Sequence, residues 1–193
     1  KAPGVEVRPL RMAPGPSEFN EVFFNDVFVP DADVVGPING GWTVARATLG
    51  NESVSIGGGT GAMTFPGEGL VGAFDQHPER LAGGEPQIGR YIASQQAMGQ
   101  LNLRSASRAV AGAGPGPEGA VTKLVLSELG LDAAGILAEL SGTDLLFMDE
   151  ARQLAPYMVL MQRAMTIAGG TSEIKRNQIA ERILGLPRDP LIK

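Results

Sequence analysis

Five consecutive residues near the C-terminus, Gly169-Gly170-Thr171-Ser172-Glu173, set two glycines, two hydroxyls and a carboxylate at the mouth of an amphipathic stretch. Thr171 or Ser172 can cap a helix that begins here, and Glu173 in its first turn suits the positive end of the helix dipole. The free N–H groups of such a terminus can hold a phosphate or an oxyanion. Glycines just before it let a ligand approach the backbone, because no Cβ stands in the way. The same residues also describe an ordinary helix start after a flexible joint, and the local sequence leaves both readings open. Glu52, in LGNESVSI, is a second candidate, sharing a helical face with Thr48, Leu49, Ser55 and Ile56. A carboxylate held against apolar neighbours has a raised pKa and can act as a base near neutral pH. A solvated helix glutamate is the plainer reading. A third candidate is SIGGGTGA, where Gly57, Gly59 and Ala62 have the G-x-G-x-x-A spacing of a dinucleotide-binding turn. That turn needs a strand before it and a helix after it. The residues before it read as helix, and Pro66 with Gly67 stops any helix after it, so a glycine-capped helix end fits better.

Composition narrows the chemistry further. The chain has no cysteine and one histidine, His77, which removes disulfides, thiolate nucleophiles, thiolate zinc sites and histidine metal clusters. No metal site is expected. A net charge of −5 argues against nucleic acid as a partner. No apolar run approaches the roughly 18 residues of a membrane span, and a soluble, cytoplasmic protein is expected. Catalysis must rest on carboxylates, hydroxyls, backbone amides or a cofactor.

The elements that must position these groups change character along the chain. VEVRPLRM and FNEVFFNDVFVP read as two strands separated by the turn-rich APGPSE, and DADVVGPINGG reads as a linker. From Trp42 the texture is helical: a first helix to about Ile56, then a loop region over TFPGEGLVGAFDQHPERLAGG. A long helix follows from Pro86 to Ala113, with Ile88, Ile92, Gln95 or Gln96 and Gly99 along one side. A third helix starts near Pro117, a fourth runs over DEARQLAPYMVLMQRAMTIAGG with a bend expected at Pro156, and the last begins after Gly170. Long helices with short breaks predict a mainly α protein, an antiparallel helical bundle preceded by a remnant of a β-barrel or sheet domain. Because the chain opens inside a strand pattern, it is expected to be the back half of something larger.

Two motifs carry a resemblance. EFNEVFFNDVFVP…VGPINGGWTVARATLGNES resembles the stretch where acyl-CoA dehydrogenases pass from their middle β domain into the C-terminal helical bundle. TIAGGTSEIKRNQIAERILGLP resembles the last helix of the same family, and the two occur in the right order. The resemblance implies that residues 1–36 are the last strands of the β domain and 37–193 the bundle. It also implies an FAD-dependent enzyme that removes an α-proton and a β-hydride from an acyl-CoA to give a trans-2-enoyl-CoA. An electron-transfer flavoprotein is the implied electron acceptor, and a homotetramer or a heteromeric pair the implied assembly.

In the commonest family pattern the base directly precedes Gly-Thr-Ser of the last helix, and here that position is Gly169. Members similar to isovaleryl-CoA and long-chain acyl-CoA dehydrogenases carry the base in an L-x-x-E-R motif on the first bundle helix. Leu49-Gly50-Asn51-Glu52 stands at that place, so the resemblance makes Glu52 the base and leaves Gly169 a backbone N–H for the thioester oxygen. Thr171, Ser172 and Glu173 match FAD-contacting positions; Asn51 and Gly170 match positions beside the substrate. Three features depart from the pattern. The motif's arginine is Ser53, the R-x-x-F-G…F-Q segment is not recognisable between Phe74 and Gln100, and LSGTDLLF replaces Q-x-x-G-G-x-G-Y. These departures keep a non-catalytic or partner-dependent subunit as an alternative. An acyl-CoA oxidase and a nicotinamide-binding protein are the others.

Overall fold

The structure, a computed structural model, describes residues 2–57, 65–113, 116, 118–147, 154–188 and 190, with the side chains of 51–57 outside that description. Two compact units divide the chain, 1–50 and 51–193. In the first, strands β1 (Val5–Leu10) and β2 (Phe19–Phe24) pair antiparallel, Val5 opposite Phe24 and Leu10 opposite Phe19. Arg8 lies 4.4 Å above the Phe23 ring and is paired with Glu6. A 3-10 turn at Asp31–Asp33 and the positive-φ Gly36 lead into helix α1 (Gly41–Gly57). α1 continues through Ile56. Helix rather than strand therefore precedes Gly57 and Gly59, and the nicotinamide-binding reading loses the strand it requires. Gly59 and Ala62 themselves lie outside the described residues.

The second unit holds α2 (Gly67–Gln76), α3 (Glu85–Val110), α4 (Glu118–Ser141), α5 (Leu154–Met165) and α6 (Ser172–Arg182). Its core joins Leu70 of α2, Ile88, Tyr91 and Met98 of α3, Leu126, Leu129, Ile136 and Leu140 of α4, and Met158 of α5. α4 is the hub. It packs against α2, α3, α5 and α6, and its buried residues form one broad face, with Asp132, Gly135 and Glu139 exposed on the opposite side.

Two expectations need correction. The segment expected as a loop before α3 contains α2 and a 3-10 turn at Pro78–Leu81. Its glycines hid it: a Cβ on Gly67 would come within 2.6 Å of Ile92, so glycine there serves close packing, not a turn. On α3 the buried side is Ile88, Tyr91 and Met98, with Ile92 and Gln95 half-buried, while Gln96 and Gly99 are exposed. Polar anchors explain the offset: the Tyr91 hydroxyl and Gln95 Nε2 both donate to the Phe65 carbonyl, at 2.5 and 3.2 Å, and Gln95 Oε1 accepts from the Gly67 N–H. The bend expected at Pro156 falls at the edge of the described residues, since α5 is described from Leu154 onward and residues 148–153 lie outside the description.

The helix ends are closed in different ways. α3 stops at Val110 on Gly112, whose φ of +79° allows the Ala113 N–H to bond the Arg108 carbonyl and the Gly112 N–H the Ala109 carbonyl. α4 is closed from outside: Arg80 donates to the carbonyls of Leu140 and Ser141 at 2.8 and 3.1 Å, placing a cation at the negative end of the helix.

Candidate functional site

α5 ends in a tight turn. The N–H groups of Ile167 and Ala168 both reach the Ala164 carbonyl, and the Gly170 N–H reaches that of Ile167. Gly169 and Gly170 then take φ of +67° and +105°, a left-handed pair that residues with side chains adopt at a cost. This reverses the chain into Thr171, whose extended backbone (φ −61°, ψ 160°) caps α6 as its Oγ1 accepts from the Ile174 N–H at 3.3 Å. Of the two hydroxyls expected as caps, Thr171 does the work. Ser172 is the buried first residue of the helix, and Glu173 is exposed in the first turn. Hydrogen bonds from its own backbone N–H and from the Thr171 hydroxyl hold the Glu173 carboxyl below the usual carboxylate range. Gly169 to Glu173 thus form one continuous feature. Asn51 and Glu52 lie in the last two turns of α1, and their side chains are outside the described residues.

Behind the turn lies a cluster that the sequence analysis missed. Lys123 of α4 is completely buried and its Nζ donates to the Thr166 carbonyl at 3.4 Å. One turn on, Ser127 Oγ lies 3.1 Å from the Met165 carbonyl and 2.8 Å from the Lys123 carbonyl, its single proton shared between them. Lys175 of α6, also buried, passes beside Gly170: a Cβ there would meet its Cε at 3.1 Å and its Nζ at 3.4 Å. Lys175 Nζ also donates to Gln178 Oε1. Burial pushes both ammonium groups below the usual lysine range. For Lys123 the neighbouring Lys175 adds to this and Glu173 opposes it; for Lys175 the Arg182 charge adds to it. An Arg176–Glu128 ion pair ties α6 to α4 at the surface. The missed signal was a lysine, a serine and a glycine (Lys123, Ser127, Gly130) at successive helical positions on one face of the helix.

At the far end of α4 a cleft of about 380 Å³ is lined by Phe65, His77, Arg80, Leu137, Asp144 and Ala155, among others. LSGTDLLF falls here as the end of α4, a 3-10 turn at Gly142–Leu146 and Phe147. Among the described residues no cluster of three or more His, Cys, Asp or Glu could hold a metal, and no helix is long and apolar enough to cross a membrane.

Comparison with known proteins decides what kind of chain this is. The model of the acyl-CoA dehydrogenase C-terminal domain matches residues 39–184. The chain belongs to the acyl-CoA dehydrogenase family. Acyl-CoA dehydrogenase FadE34 of Mycobacterium tuberculosis is 42% identical over 186 residues, covering 96% of this chain and 25% of that protein. Acyl-CoA dehydrogenase IpdE1 of Mycolicibacterium smegmatis is 36% identical over 195 residues, covering 97% and 47%. Among solved structures, the Tcur3481-Tcur3483 steroid ACAD superposes with a TM-score of 0.80 at 25% identity, over 97% of this chain and 50% of that one. The ChsE4-ChsE5 complex from Mycobacterium tuberculosis gives a TM-score of 0.72 at 25% identity, over 98% and 52%. The chain therefore spans between a quarter and about half of the length of these relatives. The bundle architecture expected from the helix pattern is the family's.

Acyl-CoA dehydrogenases use FAD, and the residues present fit such a group. Two left-handed glycines without side chains precede the α6 terminus, Thr171 and Glu173 offer polar atoms there, and two buried ammonium groups lie behind it.

Proposed function

We propose that the protein containing this chain dehydrogenates an acyl-CoA thioester to a trans-2-enoyl-CoA, with Glu52 as the base. The observation that carries this reading is the left-handed Gly169–Gly170 turn opening onto a Thr171-capped helix in a chain of this family. The Glu52 carboxylate takes the α-proton. The Gly169 N–H donates to the thioester oxygen, where negative charge develops, and so makes the α-carbon more acidic. Asn51 and Gly170 border the acyl group. Thr171, Ser172 and Glu173 would hold FAD, which when bound would supply the acceptor for the β-hydride. In this reading residues 1–36 close the middle β domain and 37–193 form the bundle. The protein is cytoplasmic, and an electron-transfer flavoprotein reoxidises it. A bulky acyl group is the proposed substrate, which the name of the steroid ACAD relative supports.

A partner-dependent subunit is the second reading, favoured by two observations. Both solved relatives are named as pairs of chains, and Ser53 stands where the base motif has arginine. The visible spectrum of the full-length protein, purified alone and with any co-expressed neighbour, separates the two. A flavin band that bleaches anaerobically with one acyl-CoA in the protein alone supports the enzyme; a band that appears only with the neighbour, or a protein that stays colourless with added FAD, supports the subunit. In the enzyme, Glu52→Gln should keep the flavin and slow its reduction by about 10²–10⁴-fold, the scale of a lost general base. Reduction at the wild-type rate would remove Glu52 from the role.

A further inference from the structure

The last carbonyls of any helix lack intrahelical partners. α3 solves this within its own segment, through Gly112. α5 does so only in part, through Ile167, Ala168 and the Thr166 hydroxyl. The carbonyls of Met165 and Thr166 are met by Ser127 and Lys123, both reaching across from α4. A neighbouring helix thus anchors the start of the segment that follows, beside that segment's own Gly170 N–H to Ile167 carbonyl bond. That segment is the Gly169–Gly170 turn, and its far side rests on the Lys175 stem.

Stability alone is a poor reason for this arrangement. A fully buried ammonium is costly, and an apolar side chain of the same length often serves a core equally well or better. Its placement is specific, however. A cation at the C-terminus of α5 faces the negative end of that helix, and its hydrogen bond falls on the carbonyl three residues before Gly169. We propose that Lys123, with Ser127, is a positioning residue that fixes the Gly169–Gly170 turn from behind. Its role is to hold the turn in the geometry at which the thioester meets the base. The catalytic part rests on the proposed function above; the structural part does not.

Two measurements on the full-length protein, with any partner it requires, test the two parts separately. Lys123→Met keeps the aliphatic stem and removes the ammonium. Amide hydrogen exchange over residues 166–170 should quicken about tenfold or more, with the exchange of α3 unchanged, since local opening is read region by region. The midpoint of global unfolding should stay level or rise. Substrate-driven flavin reduction should slow by about ten- to a hundredfold, the scale of a small misplacement, with the KM for acyl-CoA within about twofold. The carbonyl stretch of a bound enoyl-CoA should move back toward its value in free solution. Unchanged exchange overturns the proposal outright. Faster exchange with wild-type reduction and an unshifted stretch overturns its catalytic part. If wild-type protein is never reduced by any acyl-CoA, the functional reading fails, while exchange still decides whether Lys123 holds the turn. Should Lys123→Met not fold, Ser127→Ala reports on the same carbonyls, with exchange expected to quicken about threefold; no change there overturns the proposal equally.

Discussion

The two units of this chain use apolar residues in opposite ways. In the first, not one Val, Leu, Ile, Phe or Trp is buried: Phe24 is 70% exposed, Phe28 81% and Trp42 73%. In the second, Leu70, Ala133 and Ile136 are fully inaccessible and every helix from α2 to α6 contributes buried residues. A lone pair of strands cannot bury both faces, and two-stranded sheets are marginal in water. A bundle whose central helix meets four others along one broad face can bury it. The same residue types therefore carry stability in one region and contribute almost none in the other. Position in a covered layer, not hydrophobicity, decides.

Paired substitutions test that contrast most severely. Leu70→Ala or Ile136→Ala should cost about 2–5 kcal/mol in urea unfolding, whereas Val22→Ala in the sheet should stay within about 0.5 kcal/mol. Equal losses would mean that the sheet is covered after all. Gly130→Ala sharpens the account of the bundle. Its Cβ would fall on the side chain of Gln162, itself buried at the α4–α5 contact, and a loss of about 1–3 kcal/mol is expected for overpacking. A neutral result would show that Gln162 can swing away. The smallest effect carries a pH signature. Burial, and secondarily the Asp132 charge, push the Tyr91 hydroxyl up to about 12. A folded pKa above the unfolded value gives stability that is complete below pH 10 and is lost as pH rises toward 12. Wild type should therefore exceed Tyr91→Phe by about 1 kcal/mol near pH 7, with the gap closing above pH 10. A gap independent of pH would show that the Tyr91–Phe65 hydrogen bond is not what stabilises.

How much of this was legible depended on whether a residue's neighbours lay nearby in sequence. The strand alternation of VEVRPL, the helical texture after Trp42, and the glycine pair before α6 are local signals, and each appears where the sequence places it. The capping role of Thr171 was half legible, because two adjacent hydroxyls compete and only the backbone reversal at Gly170 selects between them. α2 was not legible. Three glycines in ten residues read as loop, and what makes them tolerable, Ile92 against Gly67 and Phe65 against Gly69, belongs to other segments. Lys123 was hidden for the same reason. A lysine reads as surface until the carbonyls of Met165 and Thr166, forty residues later, are brought against its face of α4.

The packing of four helices on α4 also bears on the order in which a ribosome delivers this domain. α4 emerges after α2 and α3 but before both α5 and α6, so a nascent chain carries an oily, partly cationic helix with only part of its buried face yet covered. The bundle cannot close until Arg182 has left the exit tunnel. A message cut short before Ser172 would yield a chain that has made its central helix and lacks the segment that shields the lysine face.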